Sequence, residues 1–341
     1  MATTQRIIDV SEMGGMSKDE LLVLAQDAGL TDGANLINMR REELLSRLLQ
    51  MASAHQSLVA SGILEIMDEG YGFLRQILAQ AAAGDVYISQ SQIRRFALRN
   101  GDTVSGQVRP PKEGERFFGL VRVEKINDMD SDQVNSRFRT TFEQMTPIFP
   151  ENQVVLETEG TELATRMVDL FSPIGLGQRG LIVSPPKAGK TTMLKQIAQG
   201  IAINSPDVEL LVALIGERPE EVTDMQRSVK GEVISSTFDE PASRHVAVAE
   251  MVIEKAKRLT EHKKDVVILL DSITRLGRAY NAVIPSSGKV LTGGVDANAL
   301  QKPKRFSTQL MVGLNYHIVL LINLIIRFII FEVSKVLLSA F

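Results

Sequence analysis

Apolar positions in the first 55 residues recur at helical spacing. Leu21, Leu22 and Leu24 begin a stripe just after Ser17, and Glu20 stands three residues beyond that serine. This is the pattern of a capping box, so a helix is expected over Ser17 to Leu30. A second helix is expected near Met39 to Met51, where Leu44, Leu45, Leu48 and Leu49 form the stripe and Arg40, Arg41, Glu42 and Glu43 lie outside it. Nothing in residues 1–55 carries chemistry, and they read as a small helical module that packs on something else. From about Ser61 the period drops toward two. The runs GILEIM, YGFLR, DVYIS, DTVSGQVR and FFGLVRVEKI are separated by Gly, Asp, Asn and Pro, which predicts a small barrel or sandwich over 60–130. Residues 131–165 are polar, broken by Pro147 and Pro150, and read as a connector. Beyond them continuous apolar strands (180–184, 209–215, 232–237, 265–271) alternate with helical stretches (191–203, 219–230, 241–262), so 166–306 is expected to be an α/β domain with a parallel sheet covered on both faces. The last segment, 307–341, breaks from this pattern: it carries three charged residues, Arg327, Glu332 and Lys335, among 35.

Length is consistent with two or three such domains, since the chain has 341 residues. Zero cysteines exclude a disulfide framework, a thiolate zinc site and a Cys nucleophile, and suit a reducing compartment. The four histidines, His55, His245, His262 and His317, are too scattered for metal-ligand spacing. A net charge of −3 means that any nucleic-acid surface must be a local patch. The N-terminal MATTQRIIDV lacks the charged start and apolar run of a signal peptide, and a cytoplasmic location is expected. Residues 308–326 hold no formal charge and as a helix would span about 28 Å. Asn315, His317 and Asn323 interrupt that stretch, and membrane anchoring is not the expectation.

Candidate chemistry concentrates at the carboxyl ends of the later strands. SPPKAGKTT (184–192) follows an apolar strand and opens a helix. There, backbone N–H groups at Ala188 and Gly189 can converge on phosphates, Lys190 can reach the terminal ones, and Thr191 can ligate Mg²⁺. Ser184 stands where the usual phosphate-loop pattern has its first glycine. DVVILLD ends in Asp271 beside that loop, placed to hold the Mg²⁺ water shell; alone it would pass for a turn residue. LIGERPEEV puts Glu217 and Arg218 at the same edge. Glu217 can deprotonate an attacking water and Arg218 can sense phosphate, or the acidic run Glu217, Glu220 and Glu221 simply favours a helix N-terminus.

In EGYGFLR, Tyr71 and Phe73 fall on one face of a strand with Arg75, and Gly70 and Gly72 leave room for a flat ligand. Bases could stack there, although two aromatics in a barrel also suit a core. Between 92 and 126, eight basic residues (Arg94, Arg95, Arg99, Arg109, Lys112, Arg116, Arg122, Lys125) face four acidic ones (Asp102, Glu113, Glu115, Glu124), a local positive excess that points to single-stranded nucleic acid.

GYGFLR, VYISQSQIRRF, PPKEGER, SPIGLGQRGLIVSPPKAGKTT, GERPEEVTDMQR, STFDEPASRHVAVAEMVIEKAKRL, DVVILLDSITRLGRAYN and SGKVLTGGVDANAL together resemble the bacterial transcription termination factor Rho family over about residues 17–306. The resemblance implies a cold-shock-type oligonucleotide-binding β-barrel followed by a RecA-type P-loop α/β domain. It further implies a hexameric ring that translocates on nascent RNA using ATP and Mg²⁺, with RNA polymerase and elongation factors as partners. Carried over by motif, Gly70, Tyr71, Gly72, Phe73, Leu74, Arg75, Asp85, Val86, Tyr87, Glu115, Arg116 and Phe117 form a primary RNA site. Gly175, Gln178, Arg179, Gly180, Lys187, Ala188, Gly189, Lys190, Thr191, Thr192 and Arg218 bind nucleotide, with Glu217 as catalytic base. Lys190 and Asp271 join it in the catalytic set, and Thr191 and Asp271 hold the metal. Val290, Leu291, Thr292, Gly293 and Gly294 face RNA in a central pore. After PKRF the resemblance stops: the second pore loop, further strands and arginine finger have no recognisable counterpart in 307–341. The expectation is therefore an incomplete α/β domain with one side of its sheet unpaired, from truncation, frameshift or insertion. Two alternatives stand beside the translocase: a chain that binds RNA and nucleotide without hydrolysis, and a rotary-ATPase-like subunit, which would not need a stacking platform at Tyr71 and Phe73.

Overall fold

In the computed structural model the described residues are 8–9, 16–27, 36, 39–41, 43–45, 47–48, 58–75, 85–112, 114–115, 117–131, 139–146, 149–158, 162–185, 188–285, 287–288, 290–291, 295–299, 301–303 and 318–325. The chain divides into two compact units, Met1–Arg139 and Thr140–Phe341.

The first unit opens with a short strand, β1 (Ile8–Asp9), which the sequence pattern does not announce. Helix α1 (Lys18–Asp27) follows, and its start shows the expected reciprocal cap: the Ser17 N–H donates to Glu20 Oε2 at 2.7 Å and the Glu20 N–H to Ser17 Oγ at 3.3 Å. The second expected helix shows helical backbone at its described positions within 41–48. Strands β2 (Leu58–Ile66), β3 (Gly72–Arg75) and β4 (Val86–Ile88) lead to helix α2 (Gln90–Arg95), and β5 (Thr103–Arg109), β6 (Phe118–Ile126) and β7 (Met129–Asp130) complete the unit. β2 pairs with both β3 and β5, so the path through β4 and β6 closes on itself as a barrel, antiparallel except where β4 meets β6 in parallel, and β1 adds in parallel beside the start of β2. Leu21, Leu44, Leu45 and Leu48 of the helical module share one core with the barrel residues Leu64, Leu74, Ile88 and Val104. The module is thus the barrel's apolar cover, each fully buried leucine contributing about 1.5–3 kcal/mol.

A buried polar network ties the end of this unit together. Asp102 is fully buried and accepts hydrogen bonds from Asn127 Nδ2 (2.7 Å), the Arg99 N–H (2.8 Å) and both terminal nitrogens of Arg139 (2.9 and 3.3 Å). Removing one member of a buried ion pair is far costlier than removing a surface one, so Asp102→Ala is expected to destabilise the first unit by about 3–5 kcal/mol, read as a lowered urea midpoint. A loss below about 1 kcal/mol would place the pair in the solvent-screened class.

The second unit starts with a 3₁₀ turn at Phe142–Gln144, where Phe142 is buried and its N–H donates to Glu261 Oε1 at 2.9 Å. Strand β8 (Gln153–Val154), helix α3 (Leu163–Phe171) and strand β9 (Ile174–Gly175) follow. The stretch expected to be a bare connector therefore carries structure of its own, and Val154 and Leu156 lie in the core of this unit. The α/β part runs β10 (Arg179–Ser184), α4 (Lys190–Asn204), β11 (Glu209–Glu217), α5 (Pro219–Ser228), β12 (Glu232–Thr237), α6 (Ala242–Glu261), β13 (Val266–Asp271) and α7 (Ile273–Val283). A small hairpin of β14 (Val290–Leu291) and β15 (Val295–Asp296) precedes the last strand, β16 (Ile318–Ile325). In α4 the buried residues Leu194, Ile197, Ala198 and Ile201 fall at helical spacing and pack on Val212, Leu214, Val267 and Leu269 of the sheet.

The sheet is all parallel in the order β10-β16-β13-β11-β12. This corrects the expectation that nothing after residue 306 completes it. β16 lies between β10 and β13, with Gly180 opposite Leu321 and Val267 opposite Val319. The run IVLLINLI has one polar residue in eight, the composition of a strand with strands on both sides, which composition alone had set apart as a foreign tail. The same residues adopt a strand, not a bilayer-spanning helix, and no helix among the described residues is long and apolar enough to cross a membrane.

Candidate functional site

The strand-to-helix turn after β10 is built as an anion cradle. Gly189 caps α4 with φ +82°, a left-handed conformation that suits glycine, and a Cβ built there would meet nothing within 4 Å, so the open space above the turn is left for a ligand. Lys190 begins the helix, is largely buried, and folds back to donate from Nζ to the Pro185 carbonyl at 2.6 Å. Burial lowers its pKa, and the Asp271 carboxylate opposes that shift. Thr191 Oγ1 donates to Asp271 Oδ2 at 3.3 Å, so the two proposed metal-holding oxygens already adjoin. Two hard oxygen donors beside a phosphate cradle fit Mg²⁺, which takes one or two protein oxygens and fills its shell with water and phosphate. Gln178 closes the turn before β10 through Oε1, which accepts from the Gly175 N–H at 2.7 Å. Gly180, Gln178, Lys190 and Thr192 then line a cavity of about 740 Å³ with the α3 residues Met167 and Phe171. Burial also lowers the pKa of Arg179.

Glu217 ends β11 and is 4% exposed. A register shift between Ile215 and Glu217 marks a bulge at Gly216, whose φ is +67°. Arg275, from the first turn of α7, donates from one terminal nitrogen to the Gly216 carbonyl and places the other 3.3 Å from Glu217 Oε2. Burial, then the Asp271 charge, pushes the Glu217 carboxyl up to about 7, and Arg275 opposes the rise. A carboxyl near neutrality, beside an anion cradle, is suited to general-base work. Arg275 escaped the sequence reading, although its place four residues past Asp271, one turn into the helix after a strand, was a usable signal. Arg218 stands apart: it is exposed, reaches Glu220 at 4.0 Å, and borders a cavity of about 860 Å³ that Arg275, Arg278, His245 and Phe238 also line.

On the barrel, β3 alternates strictly, with Gly72 and Leu74 buried and Phe73 and Arg75 on the outer face. Tyr71, Phe73, Tyr87 and Phe117 form one cluster on that face, with ring centroids 5.7 Å apart for Tyr71 and Phe73, 5.6 Å for Tyr71 and Tyr87, and 4.8 Å for Phe73 and Phe117. Phe73 therefore lies on the outer face of β3 and not in the barrel core. Arg75 lies 5.1 Å from the Phe73 centroid and is gripped by Glu65 at 2.5 Å and by Asp85. Burial would lower the Arg75 pKa, but the hydrogen bonds to Glu65 and Asp85 leave it raised. Val86 is buried beneath the platform, and Gly70 takes φ +89° in the turn before it. Glu115 forms a two-pronged pair with Arg109 at 2.6 and 2.9 Å, which holds its carboxyl at about 2. Among the basic residues between 92 and 126, Arg94 and Arg95 sit in α2, Arg95 lies over its neighbour Phe96, and Arg109 is matched by Glu115. Lys187, Arg116 and Thr292–Gly294 fall outside the described residues, and Val290 and Leu291 are placed as backbone in β14.

Comparison with known proteins agrees with both halves of this geometry. Residues 60–132 match the Rho termination factor RNA-binding domain, and residues 164–294 match the nucleotide-binding domain of the ATP synthase alpha/beta family. Proteins named transcription termination factor Rho from Escherichia coli, Salmonella typhimurium and Buchnera aphidicola are each 56% identical to this chain over 305 residues, covering 88% of it and 72% of the relative. Among solved structures, an ATPase from the type III secretion system of pathogenic bacteria aligns with a TM-score of 0.50 at 22% identity, covering 57% of each chain, a likeness of fold alone. The barrel match removes the rotary-subunit alternative, which has no use for an RNA-binding domain. With an RNA-binding barrel, an ATPase domain and this degree of identity, the chain belongs to the transcription termination factor Rho family of RNA-dependent ATPases.

Proposed function

We propose that this chain captures single-stranded nascent RNA on the aromatic face of its barrel and uses ATP hydrolysis in its second unit to move along it. The observation that carries the reading is the gathering of Lys190, Thr191, Asp271 and Glu217 at the carboxyl edge of one parallel sheet. Lys190 and the N–H groups of Ala188 and Gly189 bind the phosphates, with Lys187, Thr192 and the Gly175–Gly180 turn completing the nucleotide site and Arg218 reaching in from the neighbouring edge. Thr191 and Asp271 hold Mg²⁺, which neutralises charge on the transferring phosphoryl group when bound. Glu217, aimed by Arg275, takes the proton of the attacking water. Val290 to Gly294 contact RNA in the pore of a hexameric ring that works in the cytoplasm with RNA polymerase and elongation factors. ATP hydrolysis by the chain with and without single-stranded RNA tests the reading, alongside the mass of the assembled particle. Tight binding of both ligands with no stimulated turnover would instead support the binding-only alternative.

The barrel assignment has its own test. Phe73 lies on the outer face, so Phe73→Ala is expected to weaken single-stranded RNA binding by about 1–3 kcal/mol in a titration while leaving the thermal midpoint of the first unit nearly unchanged. Preserved affinity in a destabilised barrel would return Phe73 to a core role.

A further inference from the structure

The bulge that aims Glu217 is braced from the side opposite the phosphate loop. The Gly216 N–H donates to Ser236 Oγ at 3.4 Å, and Ser236, itself 1% exposed on β12, lies 2.9 Å from His245 Nδ1 on α6. A Cβ at Gly216 would come 3.6 Å from His245 Nε2 and 3.3 Å from Arg275 Cδ, so imidazole and guanidinium pack against the same bulge. The two peptide groups that flank the Gly216 Cα are both held, the N–H of one by Ser236 and the carbonyl of the other by Arg275. The second of these is the peptide that joins Glu217. We propose that His245, acting through Ser236, is a positioning residue that fixes the Gly216 bulge and with it the direction of the Glu217 carboxylate.

The groups facing His245 support this role. Ser236 and Gly216 approach from the sheet, Arg275 from α7, and Glu240 from the loop before α6. Burial, together with Arg275, holds the imidazole pKa below its ordinary value against the pull of Glu240. In the neutral tautomer with its proton on Nε2, the ring accepts a hydrogen bond at Nδ1 from the Ser236 hydroxyl. The Ser236 lone pairs then remain directed at the Gly216 N–H, and each of the three groups has a role that the next one needs.

The inference rests on Glu217 being the base, and its test separates the two ideas. His245→Ala is expected to lower kcat for RNA-stimulated ATP hydrolysis by about tenfold, the scale of a small misplacement of a reacting group, with KM for ATP and RNA affinity changed by less than about twofold. Ser236→Ala is expected to match it, and the double variant to be no worse than either single one. His245→Asn, which keeps a hydrogen-bonding group near the Nδ1 position, is expected to recover most of the loss. A readout without turnover is the ratio of affinities for ADP with aluminium fluoride, which mimics the transferring phosphoryl group, and for a non-hydrolysable ATP analogue. His245→Ala is expected to lower that ratio, whereas loss of both affinities in parallel would mark a merely structural residue and overturn the proposal. An unchanged kcat in His245→Ala, or His245→Asn as impaired as His245→Ala at equal thermal stability, would overturn it too. If Glu217→Gln hydrolyses ATP normally while the affinity ratio still falls in His245→Ala, the base assignment fails and the bracing role of His245 stands.

Discussion

Lys190→Ala is expected to reduce ATP hydrolysis by a factor on the order of 10³ or more while leaving RNA binding intact. The ammonium sits in a largely buried position at the first residue of α4, between the Pro185 carbonyl and the Asp271 carboxylate. An incoming triphosphate brings several negative charges toward two carboxylates, Asp271 and Glu217, and Lys190 is the cation built into the cradle itself. With alanine there, the helix N-terminus still offers N–H groups to the phosphate, but the like-charge repulsion from the carboxylates loses one of the cations that offset it. Lys190→Arg keeps the charge on a longer, planar group in a tight loop and is expected to rescue little. The barrel belongs to the other compact unit, so filter binding of single-stranded RNA should match the parent chain within about twofold. Unchanged ATP turnover in the alanine variant would remove this loop from the mechanism.

What the sequence disclosed follows from how local each signal is. The helix after the phosphate loop, the strand ending at Asp271 and the outward face of β3 depend on period and on neighbours within a few residues, and the structure has them at the expected places. Glu217 and Asp271 likewise mark strand ends, which a run of apolar residues makes visible. The Gly216 brace was invisible because its parts are 20 and 9 residues apart on three elements, and no spacing rule joins a β11 glycine to a β12 serine and an α6 histidine. Strand β16 was misjudged for a related reason. A run that is apolar at nearly every position suits a strand between two others as well as a foreign segment, and the partners that decide are 52 and more residues away in the chain. Asp102 entered the sequence reading only in the charge balance of a basic stretch, and it is the buried acceptor that holds Arg139.

Glu217→Gln is expected to lower hydrolysis by about 10² to 10⁴-fold with ATP still bound, because the amide keeps the shape of the side chain and a hydrogen bond but cannot take a proton. The pH dependence distinguishes this loss from a packing defect. Burial and the nearby Asp271 raise the Glu217 carboxyl to about 7, and the base works only when ionised. In the parent chain kcat/KM is therefore expected to fall as the pH is lowered through about 7, approaching a tenfold loss per unit well below it. ATP also titrates near neutrality, so the glutamine variant is the reference: the phosphate contribution is common to both proteins, and the limb belonging to Glu217 is present in one. Arg275→Ala adds the sign of the neighbour's effect. Arg275 favours the ionised carboxylate, so its removal is expected to move the limb to higher pH as well as to lower the rate, whereas loss of a residue that only stabilises the fold would leave the limb where it was. A glutamine variant that retains the parent's limb in kcat/KM would show that the titrating base is another group and that Glu217 is a structural carboxylate at the end of β11.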